Sequence, residues 1–133
     1  MSQAKVEMLK EAIDAFNRRD IDSLMALTTP DFEWFGALLG KVEGGSYHGR
    51  EGMERYFADA ADTWEEFRSV ADEFRDLDDR VLALGRLEGR GKGSGISVDA
   101  PFWMLVDFRN DKLSRTRSYL DHGEALRAAG LSE

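Results

Sequence analysis

Apolar residues recur with a helical period in the first half of the chain and with a strand period in the second. Val6, Leu9, Ile13 and Phe16, widened by Ala12 and Ala15, predict an amphipathic helix over residues 3–18. Asp20 is placed to cap a second, short helix that turns Ile21, Leu24 and Leu27 inward. Thr28-Thr29-Pro30 stops it, because the residue before a proline avoids helical backbone. Asp31 to Phe35 alternates, with Phe32 and Trp34 on one side, and reads as a strand. Gly36 to Gly49 holds five glycines and reads as a loop; Met53, Phe57, Ala60 and Trp64 then predict a helix from Gly49 to Trp64. Residues 66–76 fit both periods: Phe67, Val70, Phe74 and Leu77 suit a helix, while the run Phe67 to Ala71 suits a strand.

Asp76 to Asp79 reads as a turn, and the pattern beyond it is clearer. Val81 to Gly91 alternates with period two, Gly93-Ser94-Gly95 turns the chain, and Ile96 to Phe108 is a long strand. Arg109 to Lys112 turns it again, and Leu113 to Leu120 is a third strand. Asp121 and Glu124 have capping-box spacing and open a short last helix ending at Gly130. Helices first and long strands later mean α+β.

Composition narrows the function classes. With 133 residues, 42% hydrophobic and 11% aromatic, the chain reads as one folded domain spanning 1–133. No cysteine and two prolines exclude a disulfide scaffold, thiolate metal sites and a cysteine nucleophile. The net charge of −8 has the wrong sign for nucleic acid or an anionic membrane. The longest apolar run, Ala100 to Val106, has seven residues where a membrane helix needs about 20. Without a signal-peptide pattern, a cytoplasmic location is expected. The acidity is uneven: residues 1–66 hold 7 basic and 14 acidic side chains, residues 67–133 hold 11 and 12.

Several phrases, in order, carry a resemblance: Ala15-Phe-Asn-Arg-Arg-Asp20 with Leu24-Met-Ala-Leu27, then Pro30-Asp-Phe-Glu-Trp34, then Tyr47-His-Gly-Arg-Glu-Gly-Met-Glu-Arg-Tyr-Phe57. Asp79-Arg-Val-Leu82 and Phe108-Arg-Asn-Asp-Lys-Leu113 follow. Over residues 5–131 the chain resembles the SnoaL-like branch of the nuclear-transport-factor-2-like (ketosteroid isomerase-like) superfamily. The resemblance implies a cone-shaped, cystatin-like α+β roll, in which a curved antiparallel sheet carries the N-terminal helices over its concave face. It makes residues 66–76 a strand, and it implies a small-molecule cavity in the cone and a homodimer formed through the outer sheet face. It does not supply the isomerase machinery. The oxyanion-binding tyrosine, the general-base aspartate and the protonated acid of the isomerases align near Ala12, Phe35 and Met104, none of which can move a proton or donate to an enolate. Arg86-Leu87-Glu88 has the arginine-x-carboxylate spacing of epoxide-hydrolase relatives but lies one residue out of register, which turns it to the other sheet face.

The candidate chemistry is sparse. Gly85, Gly89, Gly91, Gly93 and Gly95 alternate with Arg86, Glu88, Arg90 and Lys92. One face of that strand is therefore almost bare and the other is a charge ladder. This is read either as a coiled strand with solvated pairs, or as a bare face leaving cavity volume behind a charged face that meets a dimer partner. Gly89 to Gly95 fails both the Walker and the dinucleotide patterns and is a hairpin turn. Asp99, His48 and Asp121 are the candidates for a catalytic acid or base, against readings as an exposed or arginine-paired carboxylate, a structural or solvated imidazole and a helix cap. No metal and no cofactor are expected. Trp34, Tyr56, Phe102, Met104, Thr116 and Ser118 are the candidate pocket wall, favouring a flat hydrophobic metabolite. Arg86, Glu88, Arg115, Arg117 and Tyr119 are the candidate dimer face, with Glu88 or Asp107 as cross-strand partners. Two functions stay open: a hydrophobic pocket with cofactor-independent isomerase, cyclase or hydrolase activity, and a non-catalytic interaction or ligand-binding module.

Overall fold

The computed structural model describes residues 2–35, 47–77 and 79–131. Two helices, α1 (Ser2–Asn17) and α2 (Ile21–Ala26), lead into β1 (Thr28–Phe35). Then come β2 (Tyr47–His48), α3 (Gly49–Thr63), β3 (Trp64–Asp76), β4 (Arg80–Gly91), β5 (Ser97–Arg109), β6 (Lys112–Tyr119) and α4 (His122–Ala128). The strands form one sheet in the order β2-β1-β6-β5-β4-β3.

Most expected boundaries fall within a few residues of these, and the differences have local causes. Strand β1 begins at Thr28 and runs through Pro30, which sits where its register with β6 shifts between Thr28 and Glu33. A proline, lacking the N–H that a ladder needs, is tolerated at such an irregularity. The pairing of β1 with β6 is parallel, so the sheet is mixed rather than antiparallel throughout. Of the stretch expected as a loop, Gly36–Gly49, only the last three residues are described. Tyr47 and His48 pair with Trp34 and Glu33 as β2, and Gly49 opens α3. Trp64, expected to close that helix, begins β3 instead.

Alternation sorts the sheet into two faces. Phe67, Val81, Ala83, Leu87, Phe102, Met104 and Val106 turn to the concave side, where Leu9, Ala12, Ala15 and Phe16 of α1 and Met53 and Tyr56 of α3 complete the main core. Asn17 fastens α1 to the sheet edge. Its side-chain Nδ2 donates to the Ser69 carbonyl at 2.8 Å, and its Oδ1 accepts from the Ser69 N–H at 2.9 Å. On the convex side Leu82 and Leu105 pack under Leu126 of α4 and Ala129, which caps its C-terminus. Asp121 caps that helix by accepting from the Glu124 N–H at 2.8 Å. A tight turn steers the last long strands. Asn110 and Asp111 both have positive φ, the signature of a type I′ hairpin joining β5 to β6.

Candidate functional site

The interior between the helices and the concave face is built on rings. The Phe16 ring lies parallel to the Trp34 indole, 5.0 Å apart and 19° between planes, and also touches Tyr56, Phe57 and Phe67. Tyr56 meets Trp34 at 5.5 Å and Tyr47 at 5.1 Å, edge to face. Two small cavities flank the Phe16–Trp34 stack, each with about 10 Å³ for a water-sized occupant. One lies against Leu9, Ala12, Met104 and Thr116, the other against Tyr56, Phe67, Phe102 and Ser118. Phe16, Trp34 and Ser69 line both.

All six expected wall residues are thus brought together around these cavities. Among the described residues their lining carries no carboxylate, imidazole, ammonium or guanidinium. Ala12 and Met104, the positions to which the resemblance assigns an isomerase's donors, do face the interior, as apolar side chains. The ionisable group in the lining is the Tyr56 phenol, pushed up to about 12 chiefly by burial. The Trp34 indole N–H lies close enough to the Tyr56 hydroxyl to oppose that shift, but not in hydrogen-bond geometry. Nearby Tyr47 is also pushed up to about 12, first by burial and then by donating its hydroxyl to Asp59 at 2.9 Å.

Sequence reasoning missed the centrality of Phe16, the role of Ser69 and the part played by Arg19. Arg19, just past the end of α1, has φ +58, and its guanidinium donates to the carbonyls of Phe16 at 2.9 Å and Phe67 at 2.7 Å. It covers the Phe16, Phe57 and Phe67 rings at 5.3 to 6.0 Å, and desolvation lowers its pKa. The signal for Ser69 was present: reading Phe67-Arg-Ser as a strand puts Phe67 and Ser69 on one face.

The three candidate acids and bases lie away from the interior. Asp99 is on the exposed convex side, 3.2 Å from Arg86. His48 ends β2, largely exposed, with Nδ1 3.7 Å from Glu33 Oε2. Asp121 is the α4 cap. On the bare face of β4 a Cβ at Gly85 would overlap the Val70 carbonyl oxygen, and one at Gly89 would meet the Glu66 carbonyl oxygen and the Trp64 ring, while Gly89 also lines an open cleft with Asn17, Phe67 and Val98. The glycines make room for the neighbouring strand. On the convex face Arg86 pairs with Glu88 at 2.7 Å, while Arg115 and Arg117 share Asp107 at 2.8 and 3.6 Å, so Asp107 and not Glu88 is their partner. Among the described residues no three His, Asp or Glu side chains gather as a metal-ligand set, and no helix is long and apolar enough to cross a membrane.

The chain belongs to the SnoaL-like domain family, whose model matches residues 9–116. Solved structures agree on the fold. An NTF2-like protein of unknown function from Burkholderia pseudomallei is 24% identical over 93% of this chain and 95% of its own, with a TM-score of 0.78. TerC, co-crystallised with polyporic acid, is 22% identical over 96% and 98%, at 0.77. A candidate polyketide cyclase from Xanthomonas campestris is 20% identical over 96% and 98%, at 0.69. No curated protein gives a significant match.

Proposed function

We propose that the protein is a small-molecule-binding domain that takes a mostly hydrophobic ligand against Trp34, Tyr56, Phe102, Met104, Thr116 and Ser118. One observation carries the reading. Two cavities adjoin across a single aromatic stack, inside a lining that is apolar apart from short hydroxyls, one indole N–H and one phenol. At their present size the cavities hold little more than a water each, so a ligand enters by displacing a side chain they share. The same lining favours binding over acid–base turnover. Isomerase or cyclase chemistry needs a group whose pKa lies near working pH, and a phenol at about 12 is far from that range. The polyporic acid co-crystallised with TerC guides the choice of compounds. Thermal unfolding with aromatic polyketides, steroids and epoxides is expected to show stabilisation of about 3 kcal/mol at a hundredfold excess over Kd for at least one class. No shift in any class overturns the reading.

A second reading concerns assembly. The convex face of β4 to β6 exposes alternating charge in Arg86, Glu88 and Asp99, beside Arg115, Arg117 and Tyr119. Such a face suits a second copy, whose opposite charges can interleave with it. In sedimentation the protein is expected to run as a dimer and Arg86→Glu as a monomer of unchanged fold. A monomeric parent protein removes this reading.

A further inference from the structure

Trp34 and Thr116 face each other directly in the register between β1 and β6. Both are almost wholly buried, at 7% and 1% exposure, and both line the same cavity. Trp34 Nε1 and Thr116 Oγ1 are buried polar atoms without a hydrogen-bond partner, the indole N–H lying near the Tyr56 hydroxyl but out of hydrogen-bond geometry. Two unmet donors on adjacent strands are costly to leave so, and a buried group of this kind calls for an acceptor. Among the described residues no charged side chain shares the lining, and an anionic or cationic ligand would find no compensating charge in it. The Phe16 ring, stacked on the same indole, lines both this cavity and its neighbour. A flat ring replacing Phe16 keeps the stacking and joins the two spaces.

We infer that the interior takes an uncharged, flat aromatic ligand bearing a carbonyl-type acceptor, which receives hydrogen bonds from the Trp34 indole N–H and the Thr116 hydroxyl in the space the Phe16 ring now fills. The inference rests on the binding reading above and goes further, in naming the donors and the ligand chemistry. Neither residue lies at a position to which the resemblance assigns a role.

Calorimetric titration of the full chain with three compounds of one ring system tests it: acetylnaphthalene, its acceptor-free counterpart ethylnaphthalene, and naphthoate. The ketone is expected to bind about tenfold tighter than the hydrocarbon, the size of effect one buried hydrogen bond gives, and naphthoate weakest. Thr116→Val keeps the shape and removes only the hydroxyl. It should cut the preference for the ketone to about threefold or less and leave the hydrocarbon's affinity unchanged. Trp34→Phe should cut the preference in the same way while weakening both compounds, because a smaller ring replaces the stacked indole, and the ratio of the two affinities carries the test if the valine variant does not fold. Equal binding of ketone and hydrocarbon, a preference that survives in both variants, or tightest binding of naphthoate overturns the inference while the binding reading stands. If the protein binds none of the three, both fall.

Discussion

The Tyr56 hydroxyl keeps its proton up to about 12 in the folded protein, chiefly because burial disfavours the phenolate. An unfolded chain releases it near 10. Between those values the unfolded state binds fewer protons than the folded one, so stability falls as pH rises. A two-unit shift is worth on the order of 2–3 kcal/mol once both limits are passed. Tyr47, shifted in the same direction, adds to the loss. Urea unfolding should therefore give a midpoint that is level through neutral pH and drops as pH climbs from about 10 towards 12. Tyr56→Phe has no such proton to hold, and its alkaline slope should be shallower. An alkaline slope as steep in Tyr56→Phe as in the parent would mean that this phenol is not desolvated.

Strand β3 shows how one extra residue changes what a pattern means. Phe67 and Phe74 lie seven positions apart, a helical spacing that in a regular strand would send them to opposite faces. They pair with Gly89 and Ala83 of β4, two odd-numbered positions on one face, because the register shifts between Ala71 and Glu73. The bulge therefore accounts for the helix-like reading of residues 66–76, and no local sequence rule announces it. Gly85, opposite Ala71, is the companion of that irregularity. A methyl there would overlap the Val70 carbonyl oxygen, whereas at Gly93, with φ +83, nothing lies within 4 Å. Gly85→Ala should cost about 3 kcal/mol or more, since backbone must move, and Gly93→Ala about 1–2 kcal/mol, from its left-handed backbone alone. Chemical denaturation of the pair decides it, and equal losses would show that β3 yields easily at the bulge.

Faces were more legible in this chain than closures. Alternation alone placed Thr116 and Ser118 inward and Arg115, Arg117 and Tyr119 outward, and Asp121 with Glu124 announced the last cap. What alternation does not reveal is how far apart two facing surfaces stand. That depends on which side chain from another element fills the gap, and here it is Phe16, from the last turn of α1, lying on Trp34 of β1. Gly85 of β4 makes the same point, since a missing Cβ leaves volume there only if no backbone moves in, and the Val70 carbonyl does. Phe16 also ties the molecule together, because its ring touches side chains from β1, α3 and β3. Phe16→Ala should lose about 3–5 kcal/mol, the usual cost of truncating a buried aromatic side chain, and should merge the two cavities into one dry space. Naphthalene should then raise the melting temperature of the variant more than that of the parent protein, because the parent must first move a ring that the variant lacks. An equal rise in both would place the hydrocarbon elsewhere and deny Phe16 its part as the partition of the interior.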